Sequence, residues 1–127
     1  MGTDLVDLKE KPSILVVDDE LANCETMADI LGEMNYAVDI ATDGYKALEL
    51  VKSRAYTMTL MDVRMPGLDG LETLKRSRQV RPSMKVVMIT AYTHDSTLDA
   101  LKKEGVDAIL TKPIKFAELF KYLPVST

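Results

Sequence analysis

The 127-residue chain has one cysteine, one histidine and no tryptophan. A single cysteine, Cys24, excludes an internal disulfide, and so the disulfide-stapled class of small secreted domains; a reducing compartment is the expectation. Cys24 falls among apolar residues of a predicted helix, where a free thiol is expected as a small buried hydrophobe. Long apolar runs are absent too. None approaches the roughly 18 residues that cross a bilayer. Met1–Lys11 mixes Asp4, Asp7 and Glu10 with leucines, without a basic start or an apolar stretch, so it does not read as a secretion signal. A soluble cytoplasmic protein with no membrane contact is expected. There is no basic excess either. The net charge of −4 argues against non-specific nucleic-acid binding, though not against a local basic patch. No repeat, low-complexity tract or interdomain linker is visible.

What is present is an apolar fraction of 46% in a length that fits one domain. We divide it into a leader over 1–11, a domain over 12–124 and a tail over 125–127. Apolar runs alternate with helical patterns. Strands are predicted at Ser13–Val17, Ala37–Ala41, Met58–Met61, Lys85–Thr90 and Asp107–Leu110. Between them lie helical stretches over Glu20–Met34, from Asp43 as cap to about Arg54, from Gly70 to Arg78–Arg81, and from a cap at Asp95 or Ser96 to Gly105. A last helix is predicted over Phe116–Leu123, before Pro124. Five βα units imply an α/β fold: a doubly wound, five-stranded parallel sheet with helices on both faces. The continuous apolar strands agree with coverage on both sides.

In such sheets ligands bind beyond the carboxyl ends of the strands, near the point where strand order reverses. Strand one runs into Asp18-Asp19 and strand three into Asp62. In a flavodoxin-like order, 2-1-3-4-5, those strands are neighbours and the three carboxylates converge. Crowded carboxylates repel, and a divalent cation relieves them. All-oxygen ligands favour Mg²⁺, which also neutralises charge on an incoming phosphoryl group. A carboxylate beside Mg²⁺ and a lysine is a plausible nucleophile for phosphoryl transfer.

Four signals occur in order, each at the end of a predicted strand: Asp18-Asp19 after Ile-Leu-Val-Val; Asp62-Val-Arg-Met-Pro-Gly-Leu-Asp-Gly; Thr90-Ala91 after Val-Val-Met-Ile; and Lys112-Pro113 after Ala-Ile-Leu-Thr. The set closely resembles the receiver domains of two-component response regulators, of the chemotaxis-regulator type, over about Ser13 to Leu123. The resemblance implies that Asp62 is the phosphoacceptor. It implies that Asp19 ligates Mg²⁺ directly, Asp18 mainly through water, and the Arg64 backbone carbonyl as a further ligand. Lys112 would pair with a phosphoryl oxygen, and Thr90 and Ala91 would offer a hydroxyl and an N–H. Small Ala91 leaves the pocket accessible. The Lys112–Pro113 bond is expected to be cis. The implied partners are a histidine kinase or phosphotransfer protein and a downstream effector domain or protein. Monomer or weak phosphorylation-dependent dimer is expected, with no direct nucleic-acid contact by this domain.

The chain departs from the family at Ile109, where many receivers carry an aromatic residue. Tyr92 and Arg64 lie where side chains could shield the phosphoryl group. His94 carries no donor signature and is given no role. The expected signalling face is the fourth helix, fifth strand and fifth helix, including Lys102, Lys103, Ile109, Leu110, Lys115 and Tyr122. Two further readings are a binding module of this fold that works without phosphate, and a turnover phosphatase or phosphotransferase with an aspartyl nucleophile. The second of these usually has another Asp two residues after the nucleophile, where this chain has Arg64. Self-phosphorylation and slow dephosphorylation, not conventional turnover, are therefore expected. No helix-turn-helix pattern lies within the chain.

Overall fold

The computed structural model describes residues 11–91 and 96–125. The five apolar runs pair as one parallel sheet in the order β2-β1-β3-β4-β5. β1 is Ser13–Val17, β2 Ala37–Ala41, β3 Met58–Asp62, β4 Val86–Thr90 and β5 Ala108–Thr111. The helices are α1 (Leu21–Glu33), α2 (Gly44–Ser53), α3 (Gly70–Val80), α4 (Ser96–Lys103) and α5 (Phe116–Phe120). The three central strands are buried along their whole length, and the edge strands β2 and β5 only in part.

Alternation along the strands divides the interior into two cores. Leu15, Val17, Met61 and Met88 point to one face, where Ala47 and Val51 of α2, Leu74 of α3 and Leu101 of α4 cover them. Ile14, Val16, Leu60, Val87 and Ile89 point to the other, beneath Cys24, Met27 and Leu31 of α1 and Leu119 of α5. Helices on both faces confirm the doubly wound arrangement. Cys24 is fully buried, as its sequence context implies.

The helix ends follow local chemistry. Asp43 and Asp69 cap α2 and α3 by accepting from the N–H groups of Lys46 and Glu72, at 2.8 and 2.9 Å. α1 stops where Asn35 adopts a left-handed φ of 74° and the Tyr36 N–H turns back to the Leu31 carbonyl at 3.1 Å. Gly105, with φ 72°, ends the segment after α4 as anticipated. The Asp95 cap falls outside the described residues.

β3 runs one residue further than the sequence predicts, to Asp62, and β4 starts one residue later, at Val86. Two further boundaries differ as well. β5 is displaced by one residue, because the Asp107 side chain accepts from the Val86 N–H at 2.7 Å while Thr111 joins the ladder opposite Thr90. α5 ends at Phe120 and not at Leu123. Lys121, Tyr122 and Leu123 instead donate back three residues, to Glu118, Leu119 and Phe120, which tightens the chain into a turn.

Candidate phosphoryl and metal site

The strand order reverses between β1 and β3, and their register pairs Val17 with Met61. The residues that follow, Asp18 and Asp62, therefore emerge side by side. Asp18, Asp19 and Asp62 each bring a carboxylate oxygen to within 4.8 Å of the others. Asp62 is buried, Asp18 half-buried and Asp19 exposed.

Each carboxylate is held differently. Asp62 accepts from Lys112 Nζ at Oδ2, 2.7 Å away, and from the Arg64 N–H at Oδ1, 3.1 Å away. Asp18 accepts from the Glu20 N–H at 2.9 Å through Oδ1, an Asx turn, and from Asn23 Nδ2 at 3.3 Å through Oδ2. Asp19 makes no such bond among the described residues. Asn23 escaped the sequence reading. Asn23 is the third residue of α1, and its amide faces back toward the strand end.

Lys112 reaches the pocket because its own N–H bonds the Thr90 carbonyl at 2.8 Å, which ties the end of β5 to the end of β4. The following Lys112–Pro113 peptide is cis, as the resemblance implies. Burial alone would lower the Lys112 pKa. The hydrogen bond and charge of Asp62, with the charges of Asp18 and Asp19, outweigh burial and hold it above the ordinary lysine value.

Thr90 is buried at the end of β4, one position beyond the Asp62–Ile89 pair, and Ala91 is exposed beside it. Gly70 lets α3 start against the site: a Cβ there would lie 2.4 Å from the Asp62 carbonyl oxygen and 2.8 Å from Val63 Cα. Beneath Asp18, the Cys24 thiol donates to the Asp18 carbonyl at 3.3 Å. Burial first, then the Asp18 charge, pushes its pKa up to about 11, so it is a thiol and not a nucleophile. A cavity of about 460 Å³ opens next to the carboxylates, bounded by Asp18, Asn23, Met27, Lys112 and Phe116.

The donor set suits a small hard cation. Oxygens around octahedral Mg²⁺ lie about 3–4 Å apart, given bonds of about 2.1 Å, so the trio needs only slight tightening. Three carboxylates and one ammonium leave two negative charges, which one divalent ion neutralises.

On the predicted signalling face, Lys102, Lys103 and Lys115 are exposed, and Ile109 and Tyr122 are half-buried. Leu110 does not belong to that surface. Strand alternation turns it inward onto the α1/α5 core, leaving it 6% exposed and unable to present a surface. Tyr92 and His94 lie outside the described residues.

The sheet order, the acidic trio and the strand-five lysine define a class of protein, and the family comparison agrees: the response regulator receiver domain matches residues 14–124, and this chain belongs to that family. Among its relatives is the transcriptional regulatory protein ZraR of Klebsiella oxytoca, 38% identical over 111 residues, covering 87% of this chain and 25% of that protein. The chain thus spans about a quarter of the length of that regulator. A CheY-like receiver domain protein from Methanospirillum hungatei JF-1 superposes with a TM-score of 0.83 at 29% identity, over 89% of this chain and 90% of that one. The response regulator TrrA of Thermotoga maritima, solved in complex with Mg²⁺ and BeF, gives a TM-score of 0.75 at 34% identity, over 86% and 93%. Among the described residues no helix is long and apolar enough to cross a membrane.

Proposed function

We propose that this receiver domain is a phosphorylation switch in which Asp62 takes a phosphoryl group from a phosphohistidine on a kinase or phosphotransfer protein. An Asp62 carboxylate oxygen forms the new O–P bond as the P–N bond of the donor breaks, and the departing imidazole keeps that electron pair. The observation that carries this reading is the 2.7 Å pair between buried Asp62 and Lys112 inside a cluster of three carboxylates. A paired, desolvated carboxylate is oriented for attack, and the ammonium is placed to receive a phosphoryl oxygen as charge develops.

Asp19, Asp62 and the Arg64 backbone carbonyl would hold Mg²⁺, with Asp18 acting through water. The hydrogen bonds support that division: Glu20 and Asn23 already occupy both oxygens of Asp18, whereas Asp19 is bare. When bound, the cation supplies charge neutralisation for the incoming group. Thr90 offers its hydroxyl and Ala91 its N–H to the phosphoryl oxygens. Movement of Thr90 would then bias the surface of α4, β5 and α5, where Lys102, Lys103 and Lys115 meet an effector. The domain extends over 12–124, acts in the cytoplasm as a monomer or weak phosphorylation-dependent dimer, and does not itself bind nucleic acid. Its chemistry is self-phosphorylation and slow loss of the phosphoryl group, without conventional turnover. The relative TrrA, which carries Mg²⁺ and BeF, and the match to a transcriptional regulator favour this reading.

Incubation with acetyl phosphate and Mg²⁺ tests it. Intact-mass measurement is expected to show one phosphoryl adduct that Asp62→Asn abolishes. An adduct of the same extent in Asp62→Asn would overturn the assignment.

A further inference from the structure

The last turn of α3 holds both of its neighbours by their carboxyl ends. Arg78 donates from Nη1 to the Glu104 carbonyl, and from Nη2 to the Met84 and Gly105 carbonyls at 3.1 and 3.3 Å. Glu104 and Gly105 directly follow α4, and the backbone there is close enough that a Cβ on Gly105 would stand 3.7 Å from Arg78 Nη1. Arg81, three residues on, donates from Nε to the Val51 carbonyl at 3.0 Å and from Nη2 to the Lys52 carbonyl at 3.4 Å, both in the last turn of α2. Each guanidinium thus sits on the negative end of a helix dipole and satisfies carbonyls that the helix leaves unpaired. A planar fork reaching three carbonyls fixes direction as well as distance, which a lysine cannot do.

α4 is otherwise lightly held. Leu101 is its one buried residue among those described. Its amino end starts at Ser96, shortly after Thr90 and Ala91 leave β4, on the side of the sheet that carries the carboxylates. Its carboxyl end is therefore tied at the far side, while its amino end adjoins the site.

We propose that Arg78 is the pivot of α4: it fixes the carboxyl end of that helix, so displacement driven from Thr90 is confined to the amino end. The driving step rests on the reading of Asp62 as phosphoacceptor. The clamp is a property of the unphosphorylated protein and is tested separately.

Amide exchange and chemical shifts of the full chain test both parts, in wild type, Arg78→Met, Arg78→Lys and Arg81→Met. Without ligand, the Glu104 and Gly105 amides are expected to exchange about tenfold faster in Arg78→Met, the size of one lost charge-assisted hydrogen bond, with Arg78→Lys intermediate. The Arg54 amide, bonded to Leu50 in α2, is expected to respond to Arg81→Met and not to Arg78→Met. Adding Mg²⁺ with beryllofluoride is expected to shift wild-type α4 resonances near Ser96 and to fade toward Gly105, and in Arg78→Met to reach Gly105. Unchanged exchange at Glu104 and Gly105, or equal acceleration in α2, overturns the clamp. The same shift gradient in both proteins overturns the pivot. No shift in wild type defeats the Asp62 reading and the pivot with it, while the exchange result still decides the clamp. Where Arg78→Met fails to fold, Arg78→Lys supplies the comparison.

Discussion

Lys112 Nζ and Asp62 Oδ2 meet at 2.7 Å across 50 residues of chain, and the pair joins the end of β5 to the end of β3 with β4 between them. The pair links folding to alkaline pH. Lys112 is held above its ordinary value of 10.5, so the folded state keeps the proton more tightly than the unfolded chain. Its stabilising contribution is fully present below that ordinary value and is lost as pH rises through the higher folded one. We expect the difference in urea stability between wild type and Lys112→Met to be constant through neutral pH and to shrink above about pH 10.5. Burial also raises the hydroxyls of Tyr36 and Tyr56, but they contribute equally to both proteins and cancel. A difference that grows with alkaline pH would contradict the pairing.

The glycines give a graded stability test. Gly70→Ala places a Cβ against the Asp62 carbonyl and Val63 Cα, which are backbone atoms that cannot swing away. We expect a loss of about 1–3 kcal/mol, as for overpacked cores, together with weaker phosphoryl uptake. Gly32, in α1, has open space and an ordinary φ. Gly32→Ala should stabilise by about 0.5–1 kcal/mol through helix propensity. Urea midpoints at constant slope read both changes.

The fold was legible because the central strands are buried on both faces and thus read as unbroken apolar runs. Strand ends were legible for the same reason: Asp18, Asp62, Thr90 and Lys112 each stand where apolarity stops. What stayed hidden depended on side chains returning to the backbone. Asp107 meets Val86 with its side chain as well as its backbone, accepting from the Val86 N–H at 2.7 Å and donating its own N–H to the Val86 carbonyl at 2.9 Å, and the strand proper begins one residue later, at Ala108. Leu110 was placed on a surface for its adjacency to Thr90 and Lys112 in a stretch mixing lysines with apolar groups, although the two-residue period turns it inward. Arg78 and Arg81 marked only the end of a predicted helix; the packing of α3 between α2 and α4 shows which carbonyls they meet.

Cys24 supplies a probe of the packing under the carboxylates. Its thiol is buried, bonded to the Asp18 carbonyl and shifted up to about 11, so little thiolate exists at neutral pH. Alkylation by iodoacetamide at pH 8 is expected to be slower than that of the urea-unfolded chain by about a hundredfold or more, since only opened molecules react. Native labelling at the unfolded rate would show that the thiol is exposed, contrary to the packing of α1 on β1.

Asp18 and Asp19 are expected to separate when each is changed to asparagine. In the metal-free protein, three carboxylates crowd to within 4.8 Å with one ammonium to balance them. Neutralising bare Asp19 relieves repulsion and costs no hydrogen bond, so Asp19→Asn should raise urea stability without metal. Asp18→Asn relieves the same repulsion but risks turning an amide N–H₂ toward Asn23 Nδ2, so its gain should be smaller. With Mg²⁺ the order inverts. On the proposed ligand set, Asp19→Asn would lose a direct ligand and should weaken Mg²⁺ binding the most; Asp18→Asn should weaken it about tenfold, as outer contacts to metals usually do. Because ligand binding stabilises by mass action, wild type should overtake both variants as Mg²⁺ rises. Denaturation midpoints across a Mg²⁺ series, with Ca²⁺ in parallel, read every step. A wild-type midpoint that ignores Mg²⁺ would remove the metal from the site.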